Sequence, residues 1–297
     1  MTRYAAVVVA FLLAVGQATG GQAETDAVVR AIKKYEERFS YSHVSFRMTT
    51  SVKEDDGPKL PPVHGTLTSH IRGNWHRAHY RLMDRKLDDS IRVTDGRCML
   101  LLSQGKWLGE GTAMWMVSPG LERGFTGSRE LTPFRCQRGN NEPLEILSVQ
   151  GDRTTIRFHT GKSNGRRFVW EYRRDGDALM PVKCLFFTAP TAGNYELYDT
   201  TVYHYSDTPA TGKTLARIER TSAPGIGEVW KVLKLDLNPS FGYKAFRPVL
   251  GPWTKVKDMV TMKPIPGGRK AILEWLNSAG AKPEIEATQP ALRKAQQ

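Results

Sequence analysis

Arg166-Arg167-Phe168-Val169-Trp170-Glu171-Tyr172-Arg173 is the stretch on which the fold reading turns. Phe168, Trp170 and Tyr172 recur at every second residue, with Arg167, Glu171 and Arg173 around them. Successive side chains of a strand point to opposite faces, so this period puts the rings on one face and the charges on the other. The neighbouring segments repeat the pattern. Upstream, Ile156 and Phe158 alternate with Arg157 and His159; downstream, Val182, Cys184 and Phe186 continue it around Lys183. One face of the predicted sheet is therefore aromatic and apolar across several strands.

Working outward, the same period predicts strands from Val44 to Val52 and near 63–71, 75–83, 91–95, 97–103, 154–160, 166–173, 181–188, 195–205, 214–220 and 228–237. Asp95-Gly96 is a tight hairpin signal between two of them. One helix precedes the strands: Val28, Val29, Ile32 and Tyr35 recur at helical spacing, and Thr25 or Asp26 can cap its start. Residues 105–147 mix Gly, Trp and Pro and read as an interruption that holds short helices. A short helix is expected at Arg269 to Asn277, followed by a mobile Pro/Ala/Lys/Gln tail. Helical and strand patterns do not alternate, which argues against a doubly wound α/β fold.

The chain's 297 residues are 40% hydrophobic and 25% charged, which excludes disorder throughout. Its first 23 residues read as an export signal. Arg3 precedes an unbroken apolar run from Ala5 to Val15, and Gly21-Gln22-Ala23 offers the small residues a signal peptidase needs. The run is shorter than the roughly 20 residues of a membrane anchor. A soluble chain starting near Glu24, in the periplasm, is the expectation. Export makes nucleic acid an improbable target for the formal charge of +13; an anionic envelope surface or plain solvation suits it better.

Familiar catalytic signatures fail on inspection. Gly161-Lys162-Ser163 lacks the earlier glycine of a phosphate loop, and neither Gly109-Glu110-Gly111 nor Gly225-Ile226-Gly227 completes a dinucleotide motif. GxSxG and HExxH are absent. No enzyme activity, cofactor or metal is expected. The three cysteines are too few for a disulfide scaffold. In an oxidising compartment a Cys136–Cys184 bridge would tether the interrupting segment to the sheet, and one cysteine would stay reduced.

The aromatic face has two readings at this level. The N-terminal helix and the 105–147 segment fill it as core, or it lines a concave apolar pocket for an acyl chain. In the pocket reading the inward residues are Phe46, Met48, Leu67, Tyr80 and Leu82 from the early strands, with Ile156, Phe158, Phe168, Trp170 and Tyr172 from the later ones.

Several short motifs, in order, resemble the periplasmic outer-membrane lipoprotein carriers of the LolA/LolB-like superfamily. They are Val44-Ser45-Phe46-Arg47-Met48, Gly65-Thr66-Leu67, Asn74-Trp75-His76, Asp89 to Gly96, Leu131-Thr132-Pro133-Phe134, and Phe246-Arg247-Pro248 through Val256-Lys257-Asp258. The resemblance implies a mainly β, open, half-closed antiparallel β-barrel. An N-terminal amphipathic helix and short inserted helices would plug its concave face. It also implies a monomeric, non-catalytic carrier that shields acyl chains of lipids or lipoproteins between membranes and meets envelope partner proteins. The carriers latch their helical lid with an arginine, for which Arg72 is the nearest residue here. The implied organisation is a signal peptide (1–23), a half-barrel domain (24–261), and a short helix with a flexible tail (262–297). The same fold also serves as a sensor or interaction module that binds an envelope partner.

Overall fold

A computed structural model describes residues 21–52, 61–73, 75–82, 89–95, 98–103, 112–117, 130–134, 144–160, 165–191, 194–208, 212–223, 225–237, 239–248, 250 and 254–278. The predicted signal residues 1–20, Cys136 and the tail beyond Ser278 lie outside the described residues. Two compact units make up the chain. The first takes Met1–Glu37, Thr50–Pro62 and Gln137–Lys231; the second takes Arg38–Thr49, Val63–Cys136 and Val232–Gln297.

The first unit opens with helix α1 (Gln22–Glu37) and continues through β7 (Leu144–Gln150), β8 (Arg153–Thr160), β9 (Arg166–Asp175), β10 (Ala178–Thr191), β11 (Asn194–Thr208), β12 (Gly212–Ser222) and the start of β13 (Ile226–Asp236). Neighbours in this series from β7 to β13 pair antiparallel. Two-residue turns make two of the hairpins, each with a glycine first and at positive φ: Gly151 at 59° and Gly176 at 61°. A side chain with Cβ resists that conformation, so these glycines hold the register of the strands they join. The buried stripe of α1 is Val28, Ile32 and Tyr35, the spacing read from the sequence, and the helix packs on β10.

In the second unit lie most of β1 (Tyr41–Val52), then β2 (Val63–Arg72), β3 (Trp75–Leu82), β4 (Asp89–Thr94), β5 (Cys98–Ser103), β6 (Thr112–Val117), a 3-10 turn (Tyr243–Phe246), β14 (Lys255–Asp258) and helix α2 (Gly268–Asn277). Trp75, Val93, Leu100 and Ala113 share one buried cluster with Phe246, Val256, Ile272 and Leu276. The segment after β13 thus builds core. A Cβ at Gly268 would stand 2.9 Å from Val256, so only glycine lets α2 approach β14 this closely.

Hydrogen bonding orders the strands β14-β6-β5-β4-β3-β2-β1-β13-β12-β11-β10-β9-β8-β7, and among the described residues the end strands do not pair, so the sheet is open. The expected class is what the chain forms: a mainly β, open antiparallel sheet introduced by an amphipathic helix. Three details correct the reading. The interruption at 105–147 contributes two strands, β6 and β7, and its described helical residues are 133 and 134. A strand not predicted, β14, closes one edge. It pairs with β6 in parallel. Among the described residues no helix is long and apolar enough to cross a membrane.

Candidate ligand-binding face

The ten predicted lining residues divide between the units. Ile156, Phe158, Phe168, Trp170 and Tyr172 belong to the first, and Phe46, Met48, Leu67, Tyr80 and Leu82 to the second.

In the first unit the register brings the rings together. Phe158 stands opposite Phe168, and Ile156 opposite Trp170. Opposed residues of an antiparallel pair share a face. The rings of Phe158, Phe168 and Phe186 stack in a row with centroids 5.3 and 4.8 Å apart. Trp170 stacks on Tyr172 at 5.7 Å and meets Tyr203 at 6.0 Å. Trp170 is 0% exposed. Helix α1 reaches this face through Tyr35, whose ring stands edge-on to Tyr205 and whose hydroxyl lies 3.1 Å from the Tyr205 hydroxyl. Tyr205 donates its own proton to the Pro181 carbonyl over 2.8 Å, which leaves its oxygen to accept from Tyr35. Burial pushes the Tyr205 phenol well above its ordinary range, so the pair stays neutral and hydrogen-bonded. An exposed ion pair, Lys34 with Asp177, joins α1 to the β9–β10 turn.

A polar group shares the aromatic face. Asp199 stands opposite Phe186 on β10 and opposite Ser222 on β12. Its buried carboxylate accepts from Arg220, Ser222 and Thr201. Arg220 also lies 3.5 Å from Glu228. Partial burial would make the guanidinium lose its proton more readily, but Asp199 and Glu228 outweigh that and hold its pKa above the ordinary value.

The opposite face departs from a purely charged surface. Arg157 pairs with Glu145 and Arg153 with Glu171 there. Between them Leu147, Val169 and Phe187 bury one another with Leu185 and Tyr195. The Arg167 guanidinium lies 3.6 Å from the Tyr195 ring centroid, a cation–π contact that covers part of this apolar cluster.

In the second unit Phe46 and Leu67 are buried, and Met48 and Tyr80 half-buried. Leu67 stands opposite Tyr80, and Leu82 opposite Gly65. Arg72 holds its guanidinium 4.2 Å from the Tyr243 ring and 5.4 Å from that of Tyr41. On the same unit the His43 and His70 rings stack at 4.5 Å, and His70 meets Phe241 edge-on at 5.1 Å. His76 is buried, with Nε2 2.8 Å from the Ser69 hydroxyl. Cys184, the described partner of the expected disulfide, is buried on β10.

Sequence reasoning missed Tyr203, Tyr205, Asp199 and Arg220. Alternation could not have found them, since a register shift between Phe186 and Phe187 sets Leu197 opposite Phe187 but Asp199 opposite Phe186. That extra residue reverses the phase of β11.

No family model matches the chain, and no curated protein matches it. Among solved structures it is similar to a domain assigned to outer membrane lipoprotein sorting from Vibrio parahaemolyticus. The identity is 12%, the match covers 74% of this chain and 96% of that one, and the TM-score is 0.50. A LolA superfamily protein from Nitrosomonas europaea matches at 14% identity, over 74% of this chain and 97% of that one, with a TM-score of 0.48. A DUF1329 family protein from Desulfovibrio piger matches at 13%, over 75% and 95%, with a TM-score of 0.49. The fold is thus similar to that of the lipoprotein-sorting domain. At these identities the likeness is one of fold.

Proposed function

We propose that the protein is an exported, monomeric, non-catalytic carrier that binds acyl chains of lipids or lipoproteins on its aromatic face. Export to the periplasm rests on the basic, apolar and small-residue order of its first 23 residues. The observation that carries the reading is the aromatic row Phe158–Phe168–Phe186 with Trp170, on the face that helix α1 reaches through Tyr35. Contiguous apolar rings of this kind are what a greasy ligand needs, and movement of α1 would bring them to the ligand. The proposed ligand contacts are Ile156, Phe158, Phe168, Trp170 and Tyr172 in the first unit and, taken separately, Phe46, Met48, Leu67, Tyr80 and Leu82 in the second. Arg72 is kept as the candidate lid latch, and Cys136–Cys184 as the candidate bridge.

The test is mass spectrometry of lipid extracted from protein purified out of the cell envelope, together with titration by a fluorescent fatty acid. Co-purifying acyl chains, and a probe affinity that falls in Trp170→Ala, are expected. A chain that carries no lipid and takes up no probe ends the proposal.

A second reading, an exported sensor or interaction module, draws on the opposite face of the first unit. There the cluster of Leu147, Val169 and Phe187 is bordered by Leu197, which stands opposite Phe187 and is 39% exposed. It expects probe binding to be absent and a Leu197→Asp variant to lose partner capture.

A further inference from the structure

The turn after β14 is built firmly and exposes apolar side chains at its tip. Asp258 accepts the backbone N–H groups of Val260 and Thr261 at Oδ1, over 3.1 and 2.6 Å, and that of Met262 at its carbonyl, over 2.9 Å. Its own N–H donates to the Lys263 carbonyl over 2.8 Å, and Met259 N–H to that of Trp115 over 3.1 Å. The amides at the Asp258 carboxylate hold its pKa below the ordinary value. Met262 takes φ 59°, a left-handed conformation that a side chain with Cβ rarely adopts. Despite this ordering the tip turns its apolar groups outward: Val260 is 74% exposed and Met262 48%. Scattered apolar residues are ordinary on a surface, but here two sit together on a strained, hydrogen-bonded turn.

The surroundings of the tip are basic. In the sequence around it Lys255, Lys257, Lys263 and Arg269 stand against a single acidic residue, Asp258, within residues 254–269, and Lys270 beyond them pairs with Glu274. Beside the turn Lys255, Lys257 and Arg269 line a cleft of about 320 Å³ together with Ile265 and Gly268. Apolar groups projecting from a collar of cations match the layering of an anionic bilayer, with headgroup phosphates outside and acyl chains beneath. A protein partner would need a complementary acidic surface with an apolar socket. A membrane supplies both along its whole area.

We infer that the Met259–Met262 turn is a membrane-contact element, which seats Val260 and Met262 among the acyl chains of an anionic lipid surface while the neighbouring basic side chains meet its phosphates. This contact does not depend on ligand binding at the aromatic face, and the experiment separates the two.

Full-length protein purified from its own cells is sedimented with vesicles of equal parts phosphatidylglycerol and phosphatidylcholine, and with phosphatidylcholine alone. Binding to the anionic vesicles, weakened by salt, is expected. Val260→Asp/Met262→Asp should lose about tenfold in affinity, and Val260→Trp should gain severalfold because indole favours the interface. Lys257→Glu/Lys263→Glu should bind weakly and lose most of the salt dependence. Free glycerol phosphate should not compete. Thermal unfolding and uptake of a fluorescent fatty acid should be unchanged in all these variants. Absence of wild-type binding to the anionic vesicles would overturn the inference. So would wild-type affinity in both Val260 variants, or binding lost in the lysine pair alone.

Discussion

The indole N–H of Trp275 donates to Oδ2 of Asp95 over 2.8 Å, and its ring stacks on Trp75 at 5.3 Å. Through this pair α2 is fastened to the β4–β5 turn, residues 180 apart in sequence. Oδ1 of the same carboxylate accepts the Cys98 N–H over 2.8 Å, so Asp95 holds both the turn and the helix. Asp95→Ala should cost about 2 kcal/mol of unfolding free energy and Trp275→Phe about 1, since each leaves hydrogen-bonding groups without their partner. Denaturant titration of the two variants checks the order.

Tyr35 offers a way to loosen α1 without emptying the core. Tyr35→Phe removes the hydroxyl that meets Tyr205 and keeps the ring. A stability loss of about 1 kcal/mol is expected. If α1 is a lid, a fluorescent fatty acid should bind faster to this variant than to wild type in stopped-flow mixing. Equal rates would count against lid movement.

Asp199 and Arg220 form a pair in which the carboxylate side chain is 4% exposed and the guanidinium 26%. Arg220→Ala leaves a buried charge without its main partner and should cost about 3–5 kcal/mol. Asp199→Asn, which keeps one acceptor oxygen and the shape of the side chain and leaves no buried charge, should cost less. The double replacement Asp199→Leu/Arg220→Met should recover much of the loss, and chemical unfolding of the three variants tests this ranking.

His43, His70 and His76 make stability fall on acidification. Burial first, and then the nearby His43 and Arg77, lower the His70 pKa to about 4. Burial lowers those of His43 and His76 as well. The unfolded chain therefore takes up protons first as pH drops below about 6.5, while the folded His70 stays neutral to about 4. Stability is full above pH 6.5 and declines towards pH 4, by about 1 kcal/mol for His70 once solvent screening is allowed for. His70→Phe should flatten that part of the slope in urea titrations at pH 7.5, 6 and 4.5.

Much of the strand pattern was legible because period-two alternation is a local property. Phe168, Trp170 and Tyr172 show their shared face without any knowledge of neighbours, and Val28, Ile32 and Tyr35 show a helix by the same logic at another period. Strands β6 and β7 were hidden by Gly, Trp and Pro around them, and β14 by its length of four residues. Two rings of the aromatic face stayed unread for a different reason. Tyr203 and Tyr205 lie beyond the register shift near Tyr198, and a second shift sets Tyr205 opposite Leu215 while His204 faces Arg217.

The residues alone determined the class of the chain: an aromatic-faced antiparallel sheet led by one amphipathic helix. Each of those features depends on side chains a few positions apart, where steric alternation and helical pitch act. Only the tertiary structure decided that Asp199 meets Arg220, that Asp95 holds Trp275, and that the segment after β13 packs into the second unit's core. These contacts join residues far apart in sequence, and the register shifts that align them arise from pairing energies summed along whole strands. The exposure of Val260 and Met262 is of the same kind, since Asp258 must fold back on its own turn before either side chain has a direction.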